Sequence, residues 1–255
     1  MFIIYFFIAF IATVLGSLAG LGGGVIIKPC LDTLSSYSLL TINTLSSFTV
    51  FSMAAISTFK QIKLGFKVEK KMIFIAIGSI LGGILGKYLF SIFILLLENE
   101  NLAKSIQSLI LALLLSILIF KNKFPKYNIQ NLYFSFFIGI FLGTIAAFLG
   151  IGGGPINVVI LTVFMSLSTK EAAINSVFII FLSQFSNLSM TIIKGSYHQL
   201  NLFILSTMVI GGISGGILGT KLNKKLSNNI IEKIFNISIF LIILLNIYNF
   251  LSPLL

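Results

Sequence analysis

Eight apolar runs govern what this chain can become. They stand at about 2–19, 39–59, 72–97, 103–120, 131–149, 172–193, 200–220 and 230–252. Each approaches the roughly 20 residues that a helix needs to span the hydrocarbon core of a bilayer. At that depth peptide groups must be satisfied internally, which a helix does within one segment. Composition points the same way: 57% of residues are hydrophobic and 9% charged, with a mean hydropathy of +1.11. A soluble domain carries about 25% charged residues. A soluble enzyme is therefore excluded, and 255 residues leave no room for an extramembrane domain. The expected fold class is all-α: a polytopic membrane protein of about eight long spans plus two short half-helices.

All 17 basic residues are Lys, against six acids, giving a formal charge of +11. In a soluble protein that excess would suggest nucleic acid. Here the lysines sit mostly in short connections between apolar runs, where they orient a membrane protein, and no nucleic-acid partner is expected. The chain opens MFIIYFF with no charge before Lys28. It lacks the basic start of a cleaved signal, so the first run reads as a span. A single Cys30 excludes an internal disulfide and reads as a small buried residue. The lone His198 reads as a solvated loop residue, and Glu98 and Glu100 as a solvated outer turn. With so few ligating residues, no metal and no cofactor are expected. The 26 Phe residues suit a lipid-facing surface.

Two further runs, 25–34 and 155–168, are too short to cross alone, and each follows a cluster of glycines. Gly20, Gly22, Gly23, Gly24, Ile26 and Leu31 match Gly150, Gly152, Gly153, Gly154, Ile156 and Leu161 at an offset of 130. Ile42-Asn43 matches Ile174-Asn175 at 132, and GGILG at 82–86 recurs at 215–219. The common order implies duplication into halves at 1–126 and 127–255. Lysine placement bears on their relation. If the short runs do not cross, the 16 lysines other than Lys28 divide nine against seven. If each short run completes a crossing, they divide 13 against three, the three being Lys87, Lys104 and Lys194. The bias toward basic cytoplasmic loops favours the second arrangement. It implies two inverted five-element halves with both termini outside the cytoplasm.

Glycine runs are poor helix formers, at about 0.8–1.0 kcal/mol per residue relative to Ala. Unwound backbone at membrane depth needs protein or a wet cavity around it. Transporters with inverted repeats use such breaks near the midplane, where helix N-termini meet anionic ligands. Gly22, Gly23, Gly24, Gly152, Gly153 and Gly154 are thus candidates for a substrate site, the alternative being close helix packing. For Gly78, Gly82 and Gly86, and for Gly211, Gly215 and Gly219, the four-residue spacing favours packing. Pro29 and Pro155 help to stop or start helix near the breaks.

Lys28 lies one turn past the first break, where a charge is costly. It is either the cationic contact for an anion, a partner of Asp32 at i+4, or a snorkelling side chain. The second half has Val158 in its place. Asn43 and Asn175 occupy matched positions and either line a cavity or tie helices together. Gln184 and Asn187 form a polar stripe beside Ser183, and Asn157 follows the second glycine run. No nucleophile–base pair or nucleotide-binding motif is present, so no enzyme is expected.

AGLGGGVIIKP, then GIGGGPINVVIL and AAINSVFIIFLSQ, resembles the TauE/SafE family of membrane transporters across nearly the whole chain. The resemblance implies an inverted-repeat protein of the bacterial inner membrane, multi-pass, moving sulfur-containing or organic anions. It implies that residues 22–24 and 152–154 form the substrate region. The IIKP form at Lys28 departs from the apolar residue common there, so the substrate does not carry over. The expected function is secondary transport of a small anion; the alternative is a membrane subunit or channel without transport coupling of its own. The partners expected are a small anionic substrate and the lipid bilayer, with a homo-oligomer an open state.

Overall fold

The computed structural model describes residues 2–252 except 36, 98, 194 and 196–199, and leaves out the side chain of Asn122. Glu98, Lys194 and His198 therefore lie outside the described residues.

The described residues form ten α-helices. They are α1 (Phe2–Ala19), α2 (Gly24–Leu34), α3 (Leu39–Lys63), α4 (Lys70–Leu97) and α5 (Glu100–Ile119), then α6 (Leu132–Leu149), α7 (Gly154–Phe164), α8 (Thr169–Ile193), α9 (Leu202–Lys225) and α10 (Asn228–Leu251). Eight are long and apolar enough to cross a membrane; α2 and α7 have 11 residues each. The protein is an all-helical, polytopic membrane protein. Helix starts follow from local chemistry. Asn99, Asn131 and Asn201 each accept two first-turn amides of α5, α6 and α9, the satisfaction that helix N-termini require. Glu171 accepts from both the amide and hydroxyl of Ser168 at the head of α8. Helix α7 ends four residues before its apolar stretch does. The Val163 and Phe164 carbonyls accept from Tyr127 and Ile129 of the segment that leads into α6, and Ser166 takes a positive φ of 53°.

The glycine stripes pack helix against helix. A Cβ at Gly78, Gly82 or Gly86 would run into the backbone of α6 at Phe136, Ile140 or Thr144. Gly211, Gly215 and Gly219 meet α1 at Phe6, Phe10 and Val14 in the same way. Backbones this close need residues without bulk.

These contacts also fix helix directions. As α9 advances from Gly211 to Gly219, its neighbours on α1 advance from Phe6 to Leu18. Gly212 and Gly216 likewise meet Thr49 and then Met53 of α3. So α1, α3 and α9 run one way. Helix α6 runs parallel to α4, and so does α8, with Ser186 on the Ile80 carbonyl and Lys87 on Asn187. Helix α3 opposes α8: Ser47 meets Asn187, whereas Phe59 meets Phe181. Because α1 and α3 share a direction, the segment between them, containing α2, returns the chain to the end it started from. Helix α7 does the same between α6 and α8. Residues at the breaks, Leu21 and Ile151, are fully buried, while Phe137, Phe141 and Phe203 are exposed on the outer surface.

Candidate functional site

Both glycine clusters interrupt the helix at matched positions. Gly20, Gly22 and Gly23 have φ of 76°, 79° and 72°; Gly150, Gly152 and Gly153 have 68°, 74° and 79°. An L side chain in this left-handed region costs about 1–2 kcal/mol, so three glycines per break are a backbone requirement. Gly24 and Gly154 have ordinary φ and are glycine for another reason. A Cβ on Gly24 would press on the Ile151 carbonyl, and one on Gly154 on the Leu21 carbonyl. The two breaks therefore lie back to back. The Ser176 hydroxyl is within reach of the carbonyls of both Gly20 (2.8 Å) and Gly154 (3.3 Å). Helices α2 and α7 begin there on Gly23 and Gly153 with no side-chain cap. Their first turns thus keep the partial positive charge of uncapped N-termini.

A cavity of about 620 Å³ reaches this region from one end of the bundle. Its polar wall holds Asn43, Ser47, Lys87, Asn187, Thr191 and Gly150; Phe90, Ile94 and Leu95 make the apolar wall. The lining comes from the starts of α3 and α5 and the ends of α4, α6 and α8. That end is opposite the lysine-rich connections at 60–71, 121–126 and 221–225. Lys87 donates to the Asn187 carbonyl at 3.2 Å and to the Thr191 hydroxyl. The Asn187 amide donates to Ser47 at 3.0 Å and to Gln184 at 3.4 Å. Gln184 in turn lies against Gly152. A polar path thus runs from Lys87 to the second break. Asn43 packs its amide on Gly150, and its Oδ1 is buried with no hydrogen-bond partner among the described residues. Glu100 also lines the cavity. It is exposed, as expected of a solvated turn residue, and its carboxylate also accepts from the Leu39 amide at the head of α3.

The structure brings together only part of the expected site. Asn43 and Asn187 face the cavity, and Gln184 stands one contact behind. Gly22–Gly24 and Gly152–Gly154 are buried in protein in this conformation, with Gly22 facing Ile180. Asn157 is buried against Gly153, and its Oδ1 has no hydrogen-bond partner among the described residues. Asn175 does not join Asn43; its amide bonds back to the Glu171 carbonyl at 3.0 Å. Lys28 is 4% exposed and donates to Gln107 Oε1 at 2.5 Å and the Leu149 carbonyl at 2.7 Å, not to Asp32. Cys30 is half-buried rather than buried.

Lys87, Thr191 and Ser176 were not singled out from the sequence. Lys87 carried a signal, since a charge inside an apolar run usually faces a cavity or a partner. Ser176 carried one too: it matches Ser46, beside Gly24, at the offset of 130 that relates the breaks.

No solved structure matches this chain. "Probable membrane transporter protein YunE" of Bacillus subtilis (strain 168) is 29% identical over 269 residues, covering 94% of this chain and 95% of the relative. Residues 5–245 match the family described as sulfite exporter TauE/SafE. With ten helices among the described residues, eight of spanning length, and the family model matched over residues 5–245, the chain belongs to the TauE/SafE family.

Proposed function

We propose that this membrane transporter carries small organic or inorganic anions by secondary transport, sulfur-containing anions among them. The observation that carries the reading is Lys87: it stands in the wall of a cavity that ends on the Gly150 backbone, among the amide and hydroxyl donors of Asn43, Asn187, Ser47 and Thr191. A cation and neutral donors in a confined apolar setting favour a negative guest. The carboxylate sharing the wall, Glu100, is engaged by the Leu39 amide. We further propose two inverted halves, 1–126 and 127–255. In support, α1 and α3 run opposite to their counterparts α6 and α8, and α4 opposite to α9. The lysine-rich end is then cytoplasmic and the cavity opens to the outside of the cell membrane.

Purified protein in liposomes tests this. Uptake of sulfite, simple sulfonates and carboxylates is measured under imposed ion gradients. Saturable, gradient-dependent uptake of at least one is expected. No uptake of any would remove the reading. Flux that neither saturates nor responds to a second ion would mean a channel.

A further inference from the structure

Beside the substrate cavity lies a second, more polar chamber of about 520 Å³. The two share Ser38 and Glu100 in their walls, while Asp32 and Lys104 line only the second. Asp32 sits on α2, about two turns past the first break. Its Oδ1 is buried and has no hydrogen-bond partner among the described residues. The other described acids have partners. Glu69 pairs with Lys71 at 3.1 Å, Glu232 with Lys121 at 3.8 Å, Glu171 caps α8, and Glu100 holds the Leu39 amide.

A charged carboxylate oxygen buried without a donor is costly, and taking up a proton removes the charge. Carboxylates at membrane depth mark ion pathways. The charged and titratable groups around Asp32 are Lys28 on its own helix, Lys104 and Glu100 on α5, and Tyr37 in the link to α3. Asn249 of α10 and Ser252 just after that helix also line the chamber and carry no charge. The Lys104 ammonium in the same wall repels a metal cation; a proton needs only one carboxylate oxygen.

We infer that Asp32 is a proton-binding site that couples a proton gradient to movement of the anion in the adjoining cavity. The step is a reversible proton transfer: the carboxylate takes one proton from chamber water, becomes a neutral carboxyl, and gives the proton up on return. Helix α2 is placed to transmit the change. It is held by Asn249 through the Pro29 carbonyl (2.9 Å) and Thr33 (2.6 Å), and Lys28 on the same helix grips Leu149 before the second break. The coupling rests on the transporter reading above; the proton site does not.

Infrared difference spectra of the full-length protein in lipid, recorded on lowering the pH, test the site. A protonated-carboxyl band is expected in the wild type, lost in Asp32→Asn, shifted but present in Asp32→Glu, and retained in Glu100→Gln. A band that persists unchanged in Asp32→Asn, or that disappears only in Glu100→Gln, would overturn the assignment. Methanesulfonate uptake into liposomes with an alkaline lumen tests the coupling. The gradient is expected to accelerate uptake in the wild type and not in Asp32→Asn, with methanesulfonate exchange retained. Equal acceleration in both would overturn the coupling. A band that follows Asp32 in protein that moves no anion of the panel would uphold the proton site and remove the transporter reading.

Discussion

The Lys28 ammonium donates to the Leu149 carbonyl at 2.7 Å, so the first half-helix grips the last turn of α6 just before the second glycine break. Gln107 completes the joint, accepting from Lys28 at 2.5 Å and donating to the Phe148 carbonyl at 2.8 Å. Cationic donors suit a helix C-terminus. Lys28→Met strips two acceptors of their partner and is expected to cost about 1–3 kcal/mol. A lower thermal midpoint in detergent would show it. The Lys28→Met, Gln107→Leu double variant should lose less than the sum of the singles, since they share one network.

Lys87 supplies the cavity's cation. Lys87→Met is expected to weaken anion binding by about 10–100-fold, equivalent to a charge-assisted hydrogen bond of about 1.5–3 kcal/mol. Titration of the preferred anion into both proteins measures this. Equal affinity would place the anion elsewhere.

Gly152 and Gly154 stand two residues apart and should respond differently. At Gly152 a Cβ has room, with the nearest atoms 3.4 Å away, but φ is 74°. Gly152→Ala should therefore cost only the left-handed strain of about 1–2 kcal/mol. At Gly154 the Cβ would overlap the Leu21 backbone, which cannot rotate away. Gly154→Ala should force the two breaks apart and abolish the folded species in size-exclusion chromatography.

The α4 stripe gives a sharper contrast between neighbours. A Cβ on Gly82 would strike the Ile140 carbonyl, whereas one on Gly83 finds nothing nearer than 3.7 Å. Gly82→Ala should destabilise by about 1–3 kcal/mol through overpacking. Gly83→Ala should be neutral or slightly stabilising, because Ala is the better helix former. Thermal midpoints in one detergent compare the two.

Lys121, in the 3-10 turn Phe120–Lys123 outside the spans, is 2% exposed. It faces Thr169, Glu232 and the Phe235 ring. Burial pushes its ammonium below the ordinary 10.5, with Glu232 opposing the shift. The unfolded chain then holds this proton more tightly than the folded protein in the window just below 10.5. Stability from this group should rise as pH increases through that window. In Lys121→Met that slope should disappear from melting curves taken across the alkaline range. An unchanged slope would mean that Lys121 keeps its ordinary affinity.

The spans, the two half-helices and the glycine interruptions were legible in the sequence. Each rests on local physics: peptide groups in hydrocarbon must bond within their own segment, and only glycine enters the left-handed region cheaply. The stripes at 78–86 and 211–219 were legible for the same reason, since spacing alone puts them on one face. Partners were not. Lys28 meets a carbonyl 121 residues away, and Asn187 a hydroxyl 140 residues away. Asn43 and Asn175 match in the sequence at an offset of 132, yet in the structure Ala173 stands against Gly20 where Asn43 stands against Gly150, so one amide lies in the cavity wall and the other bonds back into its own helix. Sequence periodicity sets which face a residue occupies, but the neighbour across that face depends on how distant helices pack, and only the assembled bundle decides it.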